Sequence, residues 1–289
     1  MNKFLLLCLL VFSAQAETLK TVITVDRDVF EDSRRFLNGR DALEITDFST
    51  EYARRDIVDF VLIQQAVALG GIKLVVKFEP GNYDARNLRS ISTGLLLIGL
   101  DTFWLSELEK LQEQIFISDP LIRRGEFIAG VYTSPHNSQA LAVTSLAQLK
   151  KLSAISSSHW HADWTTWQRI SPEKLINDPS WPSQAKLVSR GWVDVMLAPF
   201  LPTMPFTMRG PDYELIAIPG VKVGLYDSRH VAVSRLHPDG ERVFAALQSG
   251  LAQLRKDGRI VKAYTEAGFF HPAVANWTLL NPISNQTRH

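Results

Sequence analysis

Apolar positions along this chain fall into short blocks whose spacing switches repeatedly between strand and helix periods. Residues 21–25 (TVITV) are short and β-branched and predict a buried first strand. Residues 26–39 are polar without a clear period and predict an irregular stretch. In residues 50–69 (TEYARRDIVDFVLIQQAVAL), Ile57, Val58, Val61, Leu62 and Ala66 recur at helical spacing with charges opposite. That predicts an amphipathic helix, started near Thr50 and stopped by Gly70-Gly71. Residues 72–78 read as the next strand, and residues 95–100 (LLLIGL) as a central strand covered on both faces. Further helices are predicted over 106–114, 145–150, 183–190 and 238–256, and further strands over 127–132, 153–156, 192–197 and 231–234. Pro199, Pro202, Pro205 and Pro211 mark a long loop. Strand and helix alternate throughout, so the fold class is α/β with mainly parallel sheets.

The first residues change the expected compartment. A basic start at Lys3 precedes an unbroken apolar run from Phe4 to Phe12, and Ala14-Gln15-Ala16 offers small residues where a signal peptidase reads. Residues 1–16 therefore read as a secretory signal peptide, cleaved before Glu17, with a run too short to span a bilayer. Leu6 and Leu7, ahead of Cys8, are not the small residues of a lipoprotein cleavage site. The expectation is a soluble periplasmic protein. Cys8 is the single cysteine, so no disulfide holds the mature chain and burial alone must stabilise it. The length is enough for two cores. Without Lys3, basic and acidic residues are equal in number, which argues against a nucleic-acid surface.

The densest chemistry lies in SSSHWHADW, residues 156–164. On a helix, His159 and His161 point about 200° apart, and no third ligand is evident, so no metal or other cofactor is expected. Ser157, Ser158 and His159 are sequence neighbours without a nucleophile elbow, so no enzyme activity is expected. Position favours a ligand cleft. If strand 153–156 ends a βα unit, Ser157, Ser158 and His159 form the first helical turn, with free N–H groups, and Trp160 supplies a stacking surface. The facing wall is expected from GLDTFW, residues 99–104, where Asp101 or Thr102 bonds a ligand and Phe103 or Trp104 stacks on it. Asp26, at the end of the first strand, falls near the same cleft. A plainer alternative stays open: a serine only caps the helix, and the aromatic residues on both walls are core.

Four stretches in order carry a resemblance: FISDPLIRRGEFIAGVY (116–132), SLAQLKKLSAISSSHW (145–160), SRGWVDVMLAP (189–199) and HVAVSRLHPDGERVFAALQSGLAQLRKDGRI (230–260). Together they resemble the periplasmic solute-binding proteins of ABC importers, family 3, the amino-acid-binding type. The resemblance implies a two-lobed type II periplasmic-binding fold with two mainly parallel sheets joined by two crossover strands. Lobe one would comprise residues 17–128 and 226–289, and lobe two residues 129–225. A small-molecule ligand would sit between the lobes of a monomer, and a membrane permease would be the partner. Two anchors of that family are absent here. Leu111 stands where the carboxylate-clamping arginine belongs, and Pro199 where the amine-pairing aspartate belongs. Lys110, Arg123 and Arg124 are the candidate replacements for the clamp. The expected solute is thus small and polar or anionic, but not a standard amino acid. The alternative is a ligand-sensing or interaction protein of the same fold that engages a membrane receptor or kinase ectodomain.

Overall fold

The structure is a computed structural model and describes residues 17–25, 27–81 and 84–282. The expected signal peptide and Asp26 lie outside the described residues.

Strand β1 (Glu17–Val25) leads through helices α1 (Arg27–Leu37) and α2 (Arg55–Leu69) to strand β2 (Ile72–Pro80), which pairs with β1 in parallel along its whole length. Helix α1 occupies residues expected to be irregular. It buries only Ser33 and Phe36, too little for a visible period, and is favoured by Asp28 in its first turn and Arg34 and Arg35 in its last. Helix α2 starts at Arg55, later than expected, and ends at Gly70 with Gly71 at φ +95°. It is also enclosed rather than amphipathic. Ile57, Val58, Val61 and Ile63 are fully buried, and so is Asp59 on the supposedly polar side.

Helix α3 (Asp84–Ser92) follows. Residues 95–100 do not form the expected central strand. They make one bridge, Ile98 to Val233, and Leu95 is 84% exposed. Gly94, at φ +81°, turns the chain into this segment, and Gly99 lies under the Phe103 ring, so an apolar run becomes a buried irregular passage. Strand β3 (Phe103–Trp104) and helix α4 (Leu105–Leu108) come next, then a 3-10 turn Glu109–Leu111 and strand β4 (Ile115–Ile117) in place of one longer helix.

The chain then crosses on β5 (Ile128–Thr133) into α5 (Ser138–Leu141), α6 (Leu146–Leu149), β6 (Ser153–Ser156), α7 (His161–Ile170), β7 (Lys174–Asn177), α8 (Trp181–Ser189) and β8 (Val195–Pro199). Ser145 caps α6 as its sequence position suggests, accepting from the Gln148 N–H at 3.4 Å. Strand β9 (Thr207–Gly210) lies within the proline-marked loop and pairs with the long β10 (Tyr213–Gly224). Strands β11 (Arg229–His230) and β12 (Ala232–Ser234), helices α9 (Gly240–Lys256) and α10 (Arg259–Glu266), and β13 (Thr278–Leu279) complete the described chain.

One sheet runs β13-β10-β5-β8-β6-β7. Its β8-β6-β7 portion, built from strand–helix units, is parallel, while β5 pairs antiparallel with both β8 and β10. The first part of the molecule instead has three separate pairs, β1–β2, β3–β11 and β4–β12. Antiparallel returns of β11 and β12 thus fasten residues 229–234 to the segments around 103 and 116. Helices α2 and α9 pack so closely that a Cβ at Gly250 would lie 1.8 Å from the Ala66 carbonyl oxygen. Asp194, in the Gly-Trp-Val-Asp motif, joins β6 to β8 by accepting from the Ser153 N–H (2.8 Å) and Oγ (2.6 Å).

Candidate functional site

Two walls meet where β3, α4 and β11 face the start of α7. In the first wall Thr102, with no exposed surface, is the hub. Its Oγ donates to Asp59 Oδ2 (2.6 Å) and accepts from Arg229 Nε (2.8 Å) and Arg55 Nη1 (3.2 Å). Arg55 Nη1 also donates to Asp59 Oδ2 (2.6 Å) and Asp101 Oδ1 (3.2 Å), and its Nη2 to Asp56. The Tyr264 hydroxyl donates to the other Asp59 oxygen. Burial pushes the Asp59 carboxyl up to about 6, against Arg55, Arg229 and the Thr102 hydroxyl, so it is ionised at neutral pH. Burial also works to raise Asp56, but Arg55 and Arg54 beside it prevail and hold it at about 2. The wall is a satisfied polar network, the form in which buried charge is tolerated.

Arg229 is bound differently. It is buried, lies over the Trp104 ring at 4.6 Å, and is fixed by Thr102 through Nε and, from Nη2, through the Thr102 carbonyl. Its nearest carboxylate, Asp101, is 3.9 Å away. Among the described residues Nη1 has no hydrogen-bond partner, yet it is not one of the buried polar atoms sealed from solvent.

The second wall is looser. After β6 the chain turns through residues 157–160, and α7 begins at His161 with Trp160 as its N-cap. The expectation that Ser157, Ser158 and His159 form the first helical turn is therefore corrected. The Ser158 N–H is drawn to Asn177 Oδ1 (2.8 Å), the His159 N–H to Ser157 Oγ (3.2 Å) and the Trp160 N–H to the Ser157 carbonyl (3.0 Å), so these amides are spent within the turn. Asp163 sits in the first turn of α7. Burial raises its carboxyl to about 6, opposed by Arg229, its own amide and Arg55. Burial likewise raises Glu107 of α4, opposed by Arg229, His161 and Lys110. Carboxylates from both walls are thus coupled to the one guanidinium, Arg229.

Asp101, Thr102 and Trp104 lie together in the first wall, where Thr102 and the Trp104 ring are occupied by internal contacts. Phe103 packs in a small core with Ile91, Leu108, Ile115 and Ala232. In the second wall Ser157 is buried, Ser158 and His159 are exposed and Trp160 is half-buried. Arg123 and Arg124 are exposed ahead of β5. Sequence reasoning missed Arg55, Arg229 and Tyr264. Arg229 had a weak signal, as it directly precedes the return crossover stretch; Arg55 and Tyr264 had none beyond helix periodicity.

No family model and no curated protein matches this sequence. Solved structures do. The BvgS periplasmic VFT2 domain of Bordetella pertussis superposes with a TM-score of 0.55 at 10% identity, covering 88% of this chain and 94% of that one. The BvgS periplasmic domain of B. pertussis gives 0.56 at 12% identity, over 87% of this chain and 43% of that one. A mutant of ArgBP from T. maritima gives 0.51 at 14% identity, covering 86% and 94%. The likeness runs across nearly the whole chain, and with the crossover strands and the two facing walls it establishes the two-lobed α/β fold of type II periplasmic-binding proteins.

Proposed function

We propose that this protein is an exported, periplasmic solute-binding protein that captures a small polar or anionic solute and delivers it to the membrane permease of an ABC importer. Its lobes are residues 17–128 with 226–289, and residues 129–225. The observation that carries this reading is the buried Arg229 guanidinium, held by Thr102 and the Trp104 ring with Nη1 unpartnered among the described residues, and within electrostatic reach of Glu107 in one wall and Asp163 in the other. Charges contributed by two lobes to one point are what a cleft that closes on a polar solute requires. Asp101 and Trp104 on one side, and Ser157, Ser158, His159 and Trp160 on the other, border it. Leu111 and Pro199 at the two amino-acid anchor positions support a solute other than a standard amino acid.

The test is a thermal-shift screen of residues 17–289 against dicarboxylates, monocarboxylates, phosphorylated compounds, nucleobases, amino acids and amines. A ligand at a hundred times its Kd adds about 2.7 kcal/mol of stability, a readily measured rise in Tm. A shift confined to one class supports capture and names the class. Uniform silence removes the reading.

A second reading, an interaction protein that engages a membrane receptor or kinase ectodomain, draws on Arg55. That guanidinium is engaged by Asp56, Asp59 and Asp101, as in a wall already neutralised without a solute. Under this reading the screen is silent, and the purified protein co-elutes with the ectodomain of a sensor encoded beside it.

A further inference from the structure

We propose that Arg229 anchors a small oxyanion, the carboxylate or phosphate of the solute. The proposal rests on the solute-binding reading and assigns the anchor that the sequence lacks at Leu111.

Three observations carry it. First, the guanidinium is preorganised: Trp104 lies against one face, and Thr102 fixes Nε and Nη2, so little side-chain entropy remains to be lost on binding. Second, Nη1 has no partner among the described residues and keeps contact with solvent, which leaves a charged donor unused. Third, among the described residues Arg229 has no carboxylate closer than Asp101 at 3.9 Å, whereas Arg55 on the same wall is bonded to three. Of the two buried arginines, Arg229 is the one with capacity for a ligand. An incoming oxyanion gains a charge-assisted bond there, of the stronger class of hydrogen bonds.

The groups around the anchor predict a pH dependence. On its own stretch stand Asp227 and the buried His230, whose Nδ1 is bonded to the Ser118 carbonyl and which burial keeps below its ordinary pKa. From α2 come Arg55, Asp56 and Asp59, from the segment before β3 Asp101, from α10 Tyr264, from α4 Glu107, and from α7 His161 and Asp163. Asp59 is held by Arg55, Thr102 and Tyr264, whereas Asp163 and Glu107 have no ion pair within 4.0 Å among the described residues. Asp163, raised to about 6, loses its charge just below neutrality and so ceases to repel an oxyanion at Arg229.

The experiment is calorimetric titration of residues 17–289 with acetate, pyruvate, benzoate and inorganic phosphate at pH 8 and pH 5, with putrescine and adenine as cationic and neutral controls. At least one oxyanion is expected to bind about threefold or more tightly at pH 5. Carboxylate and phosphate arms separate the two oxyanion sources. Arg229→Met is expected to weaken that binding at least tenfold. Because Arg229 braces Thr102, Arg229→Lys, which keeps the charge but loses the fork, carries the test if the methionine variant fails to fold, and should weaken binding severalfold. Asp163→Asn should tighten binding at pH 8 and flatten the pH dependence. Binding of an oxyanion unaffected by Arg229→Lys, or of putrescine or adenine alone, overturns the anchor while leaving solute capture standing. A pH dependence that survives Asp163→Asn but is lost in His161→Gln or His159→Gln overturns the role of Asp163. No binding by any probe at either pH overturns both the anchor and the solute-binding reading.

Discussion

The two walls of the cleft are built on opposite principles. The first, around Thr102, is buried and cross-braced from distant parts of the chain, with Asp59 accepting from Arg55, Thr102 and Tyr264 at once. The second, residues 157–160, is a turn held by short-range bonds and one contact to Asn177, with Ser158 and His159 exposed. A network of the first kind fixes geometry, since removing any member strands a buried charge. A turn of the second kind contributes little to stability and is free to adapt to a solute. On the proposed reading, stability and recognition are divided between the walls, with Arg229 braced by the first and within electrostatic reach of Asp163 in the second.

The sharpest way to break this comparison is at Asp59. Asp59→Ala should cost about 3–5 kcal/mol, because it takes one of three carboxylates from Arg55 and leaves the buried Thr102 and Tyr264 hydroxyls without their acceptor; urea unfolding measures it, and a loss below about 1 kcal/mol would dissolve the contrast. Tyr264→Phe removes one donor to a buried carboxylate and should cost about 1.5–3 kcal/mol in the same assay. The second wall should respond inversely. Ser158→Ala combined with His159→Ala should leave unfolding within about 0.5 kcal/mol of the parent. The same double change should weaken binding of a solute found in the thermal-shift screen by about 1–3 kcal/mol. A destabilised double variant would show that the turn is structural after all.

The smallest expected effect lies in pH-dependent stability. An unfolded carboxylate titrates near about 3.9. Asp163, raised to about 6 when folded, binds its proton more tightly in the native state. Its stabilising contribution is therefore complete below about pH 4 and lost as pH rises through about 6. Asp59 acts in the same direction, while Asp56, held near 2, and the neutral buried His230 act against it. Comparison with Asp163→Asn isolates the one group. From pH 4 to pH 7 the variant should gain Tm relative to the parent. A constant difference across that range would show that Asp163 is not shifted.

Strong local signals were read nearly to the residue. Strand 153–156 is found as β6, residues 238–256 contain α9, and residues 145–150 contain α6. Errors arose where local pattern and environment disagreed. Residues 95–100 have the composition of a central strand, but Gly94 turns the backbone at φ +81° and Gly99 leaves room only for the Phe103 ring. Helix α2 looked amphipathic because Asp59, Gln64 and Gln65 are polar, yet each is buried with a partner, the two glutamines bonding to the Phe60, Ala42 and Ile45 carbonyls. Helix α1 has too few buried apolar residues to show a period. Asp101, Thr102 and Trp104 stand together in one wall, but their partners were not legible in the sequence. Those partners lie 46 residues away for Asp101 with Arg55, and 127 for Thr102 with Arg229.

By itself the sequence determined the α/β alternation and most element positions, because each follows from neighbours within a few turns. Only tertiary structure decided which charges neutralise each other. Arg55 lies on α2, early in the chain, Asp163 on α7, Arg229 on β11, and Tyr264 on α10, near the end. Coulomb energy depends on separation in space and on local burial. Neither is encoded in spacing along the chain, so the same arginine that reads as a surface charge becomes, once Thr102 and Trp104 close around it, a fixed and partly unspent cation.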